Sequence, residues 1–267
     1  MPKKKILVIP DVHGRTFWKE PVSMFFEQVD RVVFLGDYLD PYRQEGVFDD
    51  DEVYENMLEI FELKKGNGSK VVLLKGNHDQ HYASARFRDL AAGSRMDGRN
   101  WEKYHKAFSK HRDLFQLVHL EMVKDIPYVF SHAGLTLYWL HKVNANMWHL
   151  PDNKVFVGDE EIIGRLNMLD DDGPGQEMLA VVGSRRSWMG EMTGSVLWAD
   201  VEEHSMSVAP KSYGMNRVFQ VFGHTRLNPQ YDMLSSEYMA MIDSRQAFMI
   251  DEAGDEKIAP LKNYRLS

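Results

Sequence analysis

Short apolar runs recur along the chain, and each gives way to a polar cluster: Ile6–Ile9, Arg31–Leu35, Lys70–Leu74, Tyr128–Phe130 and Val218–Phe222. Runs this short, rich in Val, Ile, Leu and Phe and bounded by turn residues, predict buried strands. Between the second and third the pattern turns helical. Asp49-Asp50-Asp51 can cap an N-terminus, and Val53, Met57, Ile60 and Phe61 share one face. Strand, helix and strand in that order predict a βαβ-like layout. The charged and aromatic segment Arg86–His119 has helical character. Leu135–Ala180 reads as irregular, with Asp170-Asp171-Asp172-Gly173-Pro174-Gly175 marking a loop, and both segments are expected to be caps or insertions. Near the end, Tyr238–Asp243 and Ala247–Asp251 predict a hairpin around Ser244-Arg245-Gln246.

At 267 residues and 43% hydrophobic content, the chain is long enough for one well-filled domain over 1–267, with 135–180 as its insertion. The opening Met1-Pro2-Lys3-Lys4-Lys5 runs into an apolar stretch far shorter than a secretory or membrane-spanning segment, so a cytoplasmic location without membrane association is expected. Cysteine is absent, which excludes disulfides and thiolate metal sites and leaves nitrogen and oxygen as the only ligands for a transition metal. The formal charge of −8 argues against nucleic acid as a partner. An anionic substrate would therefore need metal ions or clustered arginines.

The polar clusters fall where chemistry is expected. Asp11-Val12-His13-Gly14 follows the first strand, Gly36-Asp37-Tyr38-Leu39-Asp40 the second and Gly76-Asn77-His78-Asp79 the third. Ser131-His132-Ala133-Gly134 and Gly223-His224-Thr225 follow the next two. Five strand ends thus deliver Asp, His and Asn to one sheet edge, where open α/β folds place ligands. Carboxylate, imidazole and amide oxygen are the ligand types that hold a pair of divalent ions about 3.5–4 Å apart.

These five blocks, D-x-H, G-D-x-x-D, G-N-H-D, an H-containing fourth and a final G-H, resemble the calcineurin-like metallophosphoesterases, and they span residues 11 to 225. GDYLD, Leu197-Trp198-Ala199-Asp200 and the terminal G-H-T are similar to the serine/threonine phosphoprotein-phosphatase-like branch. The resemblance implies an α/β (α+β) fold, a metallophosphoesterase-type β-sandwich flanked by helices with an inserted cap-like segment. It implies a first metal on Asp11, His13 and Asp37, and a second on Asp37, Asn77, His132 and His224, with Asp37 bridging. Manganese is the first expectation for both, with iron or zinc as alternatives. His78 would be the acid at the leaving oxygen, oriented by Asp40 or, as second choice, Asp79. A hydroxide activated by the two metals would then hydrolyse a phosphomonoester, in a phosphopeptide or small molecule. Two departures stand out. Arg226 occupies the position of a second histidine in the last block, and Pro41-Tyr42 replaces the arginine after Asp40, so Arg43, Arg185 and Arg186 become candidates for gripping phosphate.

Plainer readings compete at each position. Asp11, His13 and Asn77 taken singly are ordinary turn residues, and His132 and His224 could be buried core histidines. Trp139, Met147, Trp148, Met168, Trp188 and Met189 read as packing residues. At the level of function the alternatives are a dinucleoside polyphosphate hydrolase and a non-catalytic phosphate-binding relative.

Overall fold

The computed structural model of the chain describes residues 3–90, 95–171, 173–205 and 211–263. It falls into two compact units, residues 1–116 with 245–267 and residues 117–244. Among the described residues the first unit holds β1 (Lys5–Ile9), β2 (Arg31–Phe34), β3 (Val71–Leu74) and β4 (Phe115–Gln116). The second holds β5 (Val118–Val123), β6 (Ile126–Ser131), β7 (Phe219–Phe222), β8 (Leu234–Ser235) and β9 (Met239–Met241). The chain then returns to the first unit as β10 (Phe248–Asp251) and β11 (Ala259–Pro260). Two sheets accompanied by helices make this the mixed α/β class that the sequence pattern predicts. None of the described helices is long and apolar enough to cross a membrane.

In the first unit the sheet order is β11-β10-β1-β2-β3-β4. β1, β2, β3 and β4 run parallel, with Val8 opposite Val33 and Val33 opposite Val72, while β10 is antiparallel to β1. Ile6–Ile9, Val32–Phe34 and Val71–Leu74 are buried throughout, which is why they read as continuous apolar runs instead of alternating ones. The helix Asp50–Asn67 starts as its acidic cluster predicts: the Asp49 carboxylate accepts from the N–H groups of Asp51 and Glu52 at 2.9 and 3.1 Å. Its buried face, Val53, Met57, Ile60 and Phe61, packs in one cluster with Leu7, Val32 and Phe34.

In the second unit the order is β5-β6-β7-β9-β8, with β6, β7 and β9 parallel and β5 and β8 antiparallel at the edges. Three sequence expectations fail here in whole or in part. The stretch Arg86–His119, which reads as helical, holds the helices Ala85–Leu90 and Trp101–Lys110 but ends in β4 and the first residues of β5; β5 pairs with β6 through a two-residue turn, Lys124-Asp125, at φ +48° and +61°. Positive φ at both turn residues is the type I′ geometry, normally signalled by Asn-Gly, and Lys-Asp hides it. The expected hairpin near the C-terminus does not form either. β9 pairs with β7 and β8, whereas β10 pairs with β1 and β11, so the chain changes sheets across Ser244-Arg245-Gln246. Nor is Leu135–Ala180 irregular. It contains the helices Leu137–Val143, Glu160–Met168 and Gly173–Leu179, the second capped by the Asp159 carboxylate on Glu161 N. Asp172, in the expected loop, lies outside the described residues.

Candidate metal centre and histidine–carboxylate pair

Because β1, β2 and β3 are parallel neighbours, the residues following each emerge at one edge of the first sheet. The loops after β1 and β2 continue the ladder: His13 N–H donates to Asp37 O at 2.6 Å and Gly14 N–H to Tyr38 O at 2.9 Å. Asp11, His13 and Asp37 are thereby brought together, all buried, with one ligand atom from each within 4.8 Å of the others. His13 Nε2 lies 3.4 Å from Asp37 Oδ2 and 4.0 Å from Asp11 Oδ2. The other ring nitrogen, Nδ1, donates to the Leu39 carbonyl at 2.9 Å, so the lone pair sits on Nε2, facing the two carboxylates. Burial holds the His13 imidazole well below its usual pKa against the pull of Asp37, and a neutral imidazole is the form that ligates a metal. Two buried carboxylates this close are unfavourable without a compensating cation, so the donor set fits a divalent ion.

His13, Asp37 and Asp40 adopt positive φ, at +45°, +52° and +58°. Non-glycine residues held there store backbone strain, which persists where the surroundings over-determine it. Asp79 does much of that here. Its carboxylate accepts from the N–H groups of Asp37 (2.7 Å), Tyr38 (2.9 Å) and Gly76 (2.8 Å), tying the loop after β2 to the helix Asn77–Ala83. Burial and the Asp37 charge push the Asp79 carboxyl up, while the three donors pull it back. Asp37 Oδ1 accepts from His78 N at 3.0 Å. Gly76 makes this approach possible, since a Cβ there would fall 2.0 Å from Asp37 Oδ1.

His78 Nδ1 donates to Asp40 Oδ2 at 2.6 Å, and the Tyr82 hydroxyl donates to the other Asp40 oxygen at 2.5 Å. Asp40 is thus the carboxylate at His78, and Asp79 is occupied with the backbone. Burial alone would lower the His78 pKa; the Asp37 charge and the Asp40 hydrogen bond outweigh it, and the imidazole sits above its ordinary value. Asn77 begins the same helix and is buried beside His78.

In the second unit β6 and β7 are parallel neighbours, so His132 and His224 also emerge at one sheet edge. Their rings approach with His132 Nε2 3.1 Å from His224 Nδ1. His224 has φ +67°, and Trp198 meets its ring edge-on at 6.1 Å. Arg186 donates to Thr225 Oγ1 at 3.2 Å and pairs with Asp200 at 3.2 Å, while Arg185 pairs with Glu202. Arg43 is exposed in the single turn Arg43–Glu45. Trp188 and Met189, which read as packing residues, are 92% and 74% exposed; Trp139 is buried as expected. Sequence reasoning passed over Tyr82, Arg95 and Asp243. Asp243 is fully buried just beyond β9, the next parallel strand, and its signal was an acid closing the run Met239–Ile242.

A profile of the calcineurin-like phosphoesterase family matches residues 4–225. No curated protein matches the chain. Among solved structures, a cold-active protein tyrosine phosphatase is similar at TM-score 0.51 and 15% identity, over 92% of this chain and 73% of that one. A protein serine/threonine phosphatase from Saccharomyces cerevisiae, described as similar to human phosphatase PP5, gives TM-score 0.49 and 15% identity over 97% and 80%. At 15% identity, the first of these likenesses concerns the fold alone.

Proposed function

The chain belongs to the calcineurin-like phosphoesterase family and is a metal-dependent phosphoester hydrolase; from that premise we propose that its substrate is a phosphomonoester, as in the serine/threonine protein phosphatase-like branch. Asp11, His13 and Asp37 hold one divalent ion in this reading, and Asp37, Asn77, His132 and His224 a second, with manganese the first choice. Bound metal supplies Lewis acidity there, lowering the pKa of water and offsetting phosphoryl charge. The chain's own residues do the rest. His78, charged through its hydrogen bond to Asp40, gives a proton from Nε2 to the departing oxygen, and Tyr82 fixes the Asp40 carboxylate that orients it. Asp79 keeps both loops in register. Arg43, Arg185 and Arg186 are the candidates for gripping the phosphoryl oxygens.

The observation that carries this reading is the buried Asp11–His13–Asp37 cluster, with a charged-side histidine–aspartate pair on the adjoining loop. Its test combines elemental analysis with a panel of phosphopeptides, nucleoside monophosphates and diadenosine tetraphosphate. Two manganese ions per chain, fewer in Asp37→Asn, and the highest kcat/KM on a monoester are expected. A preference for the tetraphosphate of about 100-fold, some 2.7 kcal/mol in transition-state stabilisation, would overturn the substrate class.

A further inference from the structure

Arg15 and Arg245 are neutralised by Glu45, Arg185 by Glu202 and Arg186 by Asp200. Arg95 is different. Among the described residues it has no carboxylate partner, and it is exposed. Yet it is held in place. Its guanidinium donates to the Asp40 carbonyl at 3.2 Å and lies 3.5 Å from the centroid of the Tyr42 ring. Stacking and the carbonyl bond fix a side chain that would otherwise lose much rotamer entropy on meeting a ligand. The result is a preorganised cation with donors to spare, in a protein of net charge −8.

Its position says which part of a substrate it meets. The carbonyl it binds belongs to Asp40, the residue whose carboxylate holds His78. The Tyr42 ring that carries Arg95 also meets His13 edge-on, at 5.0 Å. A charge that shares the Tyr42 ring with His13 and is bonded to the backbone of the residue that holds His78 suits a group beyond the scissile phosphorus.

We infer that Arg95, seated on Tyr42, recognises a second negative charge on the leaving group, so that the site favours phosphoesters whose leaving group is itself anionic. The inference rests on the reading of His78 as the acid at the leaving oxygen.

The test compares matched substrates in the metal-loaded protein at low salt. One pair is a nucleoside 3′,5′-bisphosphate against the corresponding monophosphate; the other is a phosphoserine peptide with and without flanking glutamates. The unaltered enzyme should favour the anionic member of at least one pair by about tenfold, the scale of a charge-assisted hydrogen bond. Which pair responds tells whether a phosphate or a carboxylate is read. Arg95→Ala should erase the ratio and Arg95→Glu invert it, with p-nitrophenyl phosphate hydrolysis changed by less than about threefold. Equal losses on both members of each pair would mean that Arg95 grips the scissile phosphoryl or merely holds the Asp40 loop. An unchanged ratio in an active enzyme would sink this inference alone, whereas no metal-dependent hydrolysis by the unaltered protein would sink the functional reading as well.

Discussion

His78 combines a hydrogen bond to a buried carboxylate with a raised pKa, the properties that the proposed role of proton donor requires. His78→Ala should therefore keep metal content and fold but lose roughly 10²- to 10⁴-fold in kcat on alkyl phosphates, the scale for a positioned acid. On aryl phosphates, whose leaving groups need no proton, the loss should be far smaller. Equal losses on both would remove the acid role. Tyr82 acts one step further out, through Asp40, so Tyr82→Phe should cost about tenfold in kcat with KM little changed. Arg186 is tied to Thr225, next to His224, and Arg186→Ala should raise KM for phosphate esters about tenfold. If Arg43→Ala raises KM and Arg186→Ala does not, the grip belongs to the loop after Asp40.

At the scale of elements, the turn after β6 couples packing to pH. His204 donates from Nε2 to the Ala133 carbonyl and stacks on Phe222, and burial lowers its pKa to about 4. The unfolded chain binds that proton with a pKa of about 6.5, so between about pH 6.5 and 4 it holds more protons than the native state. Stability from His204 is thus complete above about pH 6.5 and is lost as pH falls toward 4. Denaturant midpoints should decline over that window in the unaltered protein, and more shallowly in His204→Gln. The imidazole fits because position 134 is glycine at φ +83°, where a Cβ would fall 2.3 Å from His204 Cε1. Gly134→Ala should accordingly destabilise by about 2 kcal/mol or more. What could be read in the sequence follows the same logic. β1, β2, β3, β6 and β7 were legible because buried parallel strands are written as unbroken apolar runs, and the candidate site residues stand out because each run stops at Asp, His or Asn. β5 was not, since its burial runs against its polarity, with Glu121 buried and Met122 exposed, and its turn lacks glycine. The C-terminal strands read as one hairpin because a short linker cannot reveal that its flanks join different sheets. Tyr82 and Arg95 were missed because their roles depend on contacts across more than forty residues of sequence, which no local pattern encodes.

For the molecule as a whole, the decisive quantity is charge. The chain carries a formal net charge of −8, and its candidate metal cluster adds two buried carboxylates whose mutual repulsion the native fold must bear when no cation is present. Any divalent ion that binds the folded chain and not the unfolded one shifts the unfolding equilibrium by mass action, about 2.7 kcal/mol at a concentration 100 times Kd. Thermal unfolding of the protein stripped with a chelator should therefore begin several degrees below that of the protein in excess manganese, and readdition should restore the midpoint. Asp37→Asn removes one of the paired charges as well as a ligand. Asparagine keeps an oxygen that can accept from His78 N, so the metal-free form should be no less stable than the unaltered metal-free protein, and its response to manganese should be small. A full manganese-induced shift in Asp37→Asn would show that the ion binds elsewhere, and the assignment of the first metal to Asp11, His13 and Asp37 would fail with it.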